Sequence, residues 1–120
     1  MAVRAIRGAI QLEVDEREHL LARTRQLVRE VMRANAIDTE ALISIIFTVT
    51  ADLRSEFPAL AARELGLGDV PLLCTTEIDV PGALPRVVRL MAHAELDVPR
   101  ADVQHVYLCG AEALRRDLAQ

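Results

Sequence analysis

Lysine is absent from this 120-residue chain; all 14 basic residues are arginine. Schiff-base chemistry through a lysine amine is therefore excluded. Any anion site must be built from planar guanidinium groups, which bind carboxylates through two parallel hydrogen bonds. Aromatic residues are almost as scarce, with Phe47, Phe57 and Tyr107 and no tryptophan. That removes the stacking platforms on which single-strand nucleic-acid binders depend, and a net charge of -4 also weighs against a nucleic-acid partner. The two cysteines, Cys74 and Cys109, lie inside apolar runs and lack the dense spacing of a secreted disulfide scaffold. No run approaches the roughly 18 apolar residues of a membrane span, the longest being "ALISIIF", and the first residues lack a signal-peptide core. These absences predict a reduced, soluble, cytoplasmic protein without a membrane partner.

Missing motifs narrow the chemistry further. There is no Gly-rich phosphate loop, no HExxH or CxxC metal pattern, and His19, His93 and His105 are scattered through different segments. Ser44 and Ser55 have no nucleophile-elbow context. Neither a cofactor nor a metal is expected.

What is present is ample apolar material, 52% of residues, in a chain of ordinary domain size. One domain spanning 1–120 follows. Residues 2–13 read as a strand with a close-packed or bulged point at Gly8. Asp15 and Glu18 suggest a capped start to a helix over 15–34, whose Leu20, Leu21, Leu27, Val28, Val31 and Met32 recur on one face. "ALISIIFTVT" is short and β-branched, as a buried strand is. "DLRSEFPALAARELGLG" reads as a loop and a short helix, with Pro58 in its first turn and Gly66 near its end. "VPLLCTTEIDV" reads as a strand stopped by Pro81 and Gly82. "PRVVRLMAHAEL" fits both periods, and its leading Val87 and Val88 favour a strand. "QHVYLCG" is a last short strand before the tail. The order β, α, β, α, β, β, β predicts an α+β fold, a mixed five-stranded sheet with helices on one face. Two helices cannot cover five strands on both sides, so self-association is expected.

Arg4, Arg7, Arg86 and Arg89 lie on or beside strands, as do Glu77 and Tyr107. A charge in an apolar strand is costly unless paired, exposed or facing a wet cavity. Together these arginines suit a pocket for a small polyanion, although each alone could be an edge residue facing solvent.

The segments "RAIRGA", "FPALAAREL", "VPLLCTTEIDVPGALPRVVRLM", "DVPRADVQHVYL" and "ALRRDL" occur in the order found in the AroH-type chorismate mutases, and the chain resembles that family over nearly its whole length. The resemblance implies a homotrimer whose sheets form a pseudo-α/β barrel, with active sites between subunits. It also implies an isomerase of aromatic amino-acid biosynthesis that rearranges chorismate to prephenate without nucleophile, metal or cofactor. Arg89 would then face the breaking ether oxygen and a carboxylate, Arg7 would grip a carboxylate, and Glu77 would accept a hydrogen bond from the substrate hydroxyl. Tyr107 would contact a carboxylate and Cys74 would form part of the wall. Phe57, Ala59 and Leu73 would line the pocket from a neighbouring subunit, with Arg63 at its mouth and Leu114 and Arg115 in a tail that folds over the ligand. Leu60 stands where relatives can carry a lysine, which alters the entrance. Two rival readings remain at this point: a trimeric imine deaminase of the Rid type, whose C-terminal Arg-Cys pattern is missing here, and a non-catalytic sensor of an aromatic-pathway metabolite.

Overall fold

A computed structural model of the chain describes residues 1–115. Its elements are β1 (Ala2–Gln11), α1 (Arg17–Ala34), β2 (Leu42–Val49), α2 (Pro58–Glu64), β3 (Leu72–Thr76), β4 (Val87–Leu96) and β5 (Val106–Leu108), the order expected from the sequence. Short 3-10 turns at Thr39–Ala41, Arg100–Asp102 and Ala111–Leu114 complete the described chain. The five strands form one sheet in the order β3-β2-β4-β1-β5. β4 pairs antiparallel with both β1 and β2, whereas β5 and β3 add in parallel at the two edges. The ambiguous segment at 85–96 is thus the central strand.

Strand alternation divides the sheet into two unlike faces. Ile6 and Ile10 of β1, Ile45 and Phe47 of β2, and Val88, Leu90, Ala92 and Ala94 of β4 are buried in one core with Leu20, Leu27 and Val31 of α1 and Ala61 and Ala62 of α2. The apolar stripe of α1 lies on β1 and β5, and α2 wedges between α1 and β3. The opposite face has no α-helix over it among the described residues. It carries a small second cluster of Ala9, Val87, Tyr107 and Ala111, and otherwise a mixture of charged and polar side chains with the apolar Val3, Ile46, Leu73 and Met91.

One open alternative is decided and three local expectations are corrected. β1 runs through Gly8 in unbroken register with β4, so Gly8 is close-packed and not bulged: an added Cβ would sit 3.0 Å from Val31 Cγ2 and 3.2 Å from Leu90 Cδ1. The sheet's irregularity lies instead on β2, between Leu42 and Ser44. α1 begins at Arg17 behind Glu16, which makes no side-chain cap. The Asp15 carboxylate accepts from the amides of Arg54 and Ser55 at 3.0 and 3.1 Å, closing a loop whose donors have no strand partner. The segment 70–80 is extended only over Leu72–Thr76. Glu77 donates its N–H to the Val49 carbonyl at 2.8 Å, and tight turns at Val80 and Ala83 then leave the sheet. β5 stops at Leu108 because Cys109 and Gly110 adopt φ values of 54° and 100°, left-handed backbone that cannot continue a strand.

Candidate active site

The register places a block of functional side chains on the open face. One row across the sheet reads Thr75, Thr48, Arg89, Ala9, Tyr107; the next reads Leu73, Ile46, Met91, Arg7. Arg7 and Arg89 are therefore diagonal neighbours on adjacent strands, a relation that holds Cβ atoms about 7–8 Å apart. On that face the small side chain of Ala9, opposite Arg89 and two residues from Arg7, is the neighbour of both. Glu77 approaches from the end of β3, where its bond to Val49 holds it one residue beyond the ladder.

Arg7, Glu77, Arg89, Tyr107 and Arg115 line one cavity of about 270 Å³, together with Ile46, Thr48 and Met91. Arg89 Nη1 donates to Glu77 Oε1 at 3.3 Å. This is a long contact between half-exposed groups, and it is the only side-chain bond of Arg89 among the described residues. The guanidinium keeps its remaining N–H donors for a ligand. Arg7 has no side-chain partner among the described residues, and its main-chain N–H donates to His105 Nδ1 at 3.0 Å. Burial, reinforced by the Arg7 and Arg115 charges, pushes the His105 pKa below its ordinary value.

The other two strand arginines are structural. Arg4 Nε donates to the Val98 carbonyl. Arg86 sits at φ 52°, with its amide on the Asp52 carboxylate and its Nε on the Leu12 carbonyl.

The remaining predicted site residues do not join the arginine cavity within one chain. Leu114 lines an adjoining hollow with Glu77 and Arg89. Phe57 and Cys74 line a separate one, of about 340 Å³, between the loop before α2 and the edge strand β3. Glu56 fixes that loop by accepting from the Phe57 amide at 2.9 Å and from Arg17 Nε at 2.8 Å, and Phe57 is 68% exposed. Leu73 points outward from β3 at 59% exposure. Arg63 is exposed in the last turn of α2, whereas Ala59 is buried in the main core. None of these last three lines any of the hollows above. Of "ALRRDL", residues 116–118 lie outside the described residues.

Ile46, Thr48, Met91 and His105 were not singled out from the sequence. Period-two alternation around Arg7, Arg89 and Tyr107 points to the last two, since 91 and 105 lie two residues from 89 and 107. Thr48 and Ile46 needed the β2/β4 register. Among the described residues no group of three or more His, Cys, Asp or Glu could hold a metal ion, and no helix is long and apolar enough to cross a membrane.

Comparison with known proteins agrees with this geometry. A chorismate mutase AroH of Thermus thermophilus is 50% identical over 117 residues, covering 97% of this chain and 96% of its own. The chorismate mutase AroH of Bacillus subtilis strain 168 is 39% identical over 120 residues, covering 99% and 94%. The solved structure of a chorismate mutase from Clostridium thermocellum superposes with a TM-score of 0.89 at 43% identity, over 91% of this chain and 97% of that one. The family model for chorismate mutase type I matches residues 3–118, and the chain belongs to that family.

Proposed function

We propose that the chain catalyses the rearrangement of chorismate to prephenate at the Arg7–Glu77–Arg89–Tyr107 cavity, by fixing the substrate's reactive conformer and stabilising charge. The observation that carries this reading is one cavity holding two diagonal arginines whose donors are largely unused, beside a carboxylate, in a chain of this family. The substrate is a dicarboxylate, and its breaking ether oxygen becomes electron-rich in the transition state. A cation already fixed on a sheet strand favours that transition state over the ground state, since no solvent or side-chain reorganisation is needed as charge develops. In this reading Arg89 faces the ether oxygen and a carboxylate, and Arg7 and Tyr107 hold a carboxylate. Glu77 accepts from the substrate hydroxyl and faces the electron-poor ring. No residue acts as nucleophile or proton donor.

The site is completed in a homotrimer, with Phe57, Cys74, Leu73 and Arg63 of one subunit closing the arginine cavity of the next. Two features support this assembly: the separation of the Phe57–Cys74 hollow from the arginine cavity in one chain, and the outward Phe57 and Leu73 at an unpaired sheet edge. Exposed apolar groups on an unpaired strand mark an interface. The decisive experiment follows the loss of chorismate absorbance with purified protein and no added metal or cofactor. Turnover supports the reading, and its absence at micromolar enzyme sinks it.

A further inference from the structure

We infer that His105, as the neutral imidazole protonated on Nε2, is a positioning residue for Arg7: its Nδ1 takes the place of a strand carbonyl and pins the Arg7 main chain, an anchor that protonation removes. The inference rests on the proposed role of Arg7 for its effect on activity, but the anchor itself stands independently of it.

The register explains why an anchor is needed. β1 is flanked by β4 and β5, but the β1/β5 ladder spans only Gly8–Ile10 against Val106–Leu108. Arg7 lies one residue before that ladder begins, and its N–H donates to His105 Nδ1 at 3.0 Å. The main chain next to His105 is fixed from behind, because the Gln104 N–H donates to Asn35 Oδ1 at 2.8 Å and Asn35 Nδ2 donates to the Val31 and Gln104 carbonyls at 2.9 Å. The anchor thus runs from the end of α1 through residues 104–105 to the strand that carries Arg7. An amide N–H can donate only to an unprotonated ring nitrogen, so the contact requires the neutral ring with its hydrogen on Nε2.

The surroundings keep the ring neutral. Arg4 and Arg7 of β1 and Arg100 of the 3-10 turn line one hollow with His105, and no carboxylate lines it. Burial and the charges of Arg7 and Arg115 both lower the pKa from the ordinary 6.5. The sign follows. The neutral ring predominates above the ordinary 6.5, and the anchor is lost as pH falls through a value below it. A protonated ring also brings a further positive charge against Arg7. If the only effect of that charge were to attract an anionic substrate, kcat/KM would rise at acid pH; loss of the anchor predicts a fall.

The test uses the full chain with His105→Ala and His105→Asn. The Asn side-chain oxygen can occupy the position of Nδ1 and accept the same N–H but does not titrate. His105→Ala should lower kcat/KM for chorismate about three- to tenfold, the effect of one lost hydrogen bond, mainly through KM, and His105→Asn should restore most of it. The wild-type kcat/KM should fall with acid below pH 6.5, and this limb should flatten in His105→Asn. The protection factor of the Arg7 amide in hydrogen exchange should drop in His105→Ala and in the wild type at acid pH, and hold in His105→Asn. Equal defects in the two variants, a wild-type profile flat or rising towards acid, or an Arg7 amide indifferent to both changes would overturn the inference. If His105→Ala does not fold, the wild-type and His105→Asn profiles decide. Should the protein not turn over chorismate at all, the proposed function fails, and the Arg7 amide still reports on the anchor.

Discussion

Replacing Arg89 with alanine is the most direct test of the proposed mechanism, because its effects on folding and on catalysis separate in size. Arg89 pairs with Glu77 at 3.3 Å with the two side chains 37% and 28% exposed. Ion pairs this accessible contribute about 0–1 kcal/mol, so the variant should fold, with Tm lowered by no more than about 5 °C. The catalytic effect is larger. Two unit charges about 4 Å apart interact by about 4 kcal/mol at an effective dielectric constant near 20. With roughly half a charge gathering on the ether oxygen, the electrostatic share is about 2 kcal/mol. Loss of a charge-assisted hydrogen bond adds roughly 1.5 kcal/mol or more. The total corresponds to about 10²- to 10³-fold in kcat, the range found when a preorganised oxyanion donor is removed. Arg89→Lys keeps the charge but not the planar fork and should fall between wild type and alanine. The assay is steady-state loss of chorismate absorbance, with a thermal melt on the same sample. A folded Arg89→Ala enzyme with near-normal kcat would refute the reasoning. A defect confined to KM would reassign Arg89 to ground-state binding.

Gly8→Ala places a Cβ 3.0 Å from Val31 and 3.2 Å from Leu90, both confined in the core. Overpacking of about 1–3 kcal/mol should lower the denaturant midpoint, and an unchanged or raised midpoint would show that α1 yields. Leu73→Asp puts a charge on the outward face of β3 and should give a particle of single-chain mass by light scattering. Wild type should scatter as three chains; a single-chain wild type would remove the proposed assembly. The Glu56 carboxyl is held below its ordinary 4.5 by the Phe57 amide and then by Arg17. Its contribution to stability is present above about pH 4.5 and lost as pH falls through the lower folded value. Glu56→Gln should therefore flatten that part of the acid-unfolding profile, and an unaltered profile would remove the loop clamp.

The sequence was most informative where periodicity and burial agree. The stripe of α1 and the β-branched run of β2 are legible because each side chain's surroundings follow from its own element. The boundaries were harder, since tertiary partners decide them. Asp15 looks like a helix cap until the loop amides of Arg54 and Ser55 compete for its carboxylate. The segment after Thr76 has strand-like composition, but only one further bond, from Glu77 to Val49, is available to extend it. At the site, Arg7, Arg89 and Tyr107 were legible as charges and a phenol in strands, and the family resemblance joined them. Their closeness depends on the β4-β1-β5 order, which is not encoded in any single segment. Alternation with Tyr107 points to His105, but its contact with the Arg7 amide was hidden for the same reason. A histidine before a short strand gains a role only when the neighbouring strand runs one residue past the ladder and leaves a donor without a carbonyl.

The geometry of one chain also constrains how copies can meet. The arginine cavity opens on the bare face of the sheet, over β2, β4, β1 and β5. The Phe57–Cys74 hollow lies at the opposite edge, beside β3 and the loop before α2. In the proposed trimer these two surfaces meet head to tail, a contact that closes into a ring when the rotation between copies allows it. Such a ring satisfies both surfaces of every copy, builds as many sites as chains, and covers the sheet face that two helices leave bare. On this arrangement, the bare face that makes the isolated chain incomplete is also what places rigid, strand-borne guanidinium groups in a closed site. There their fields act on the substrate with less screening than on the open surface of a single chain.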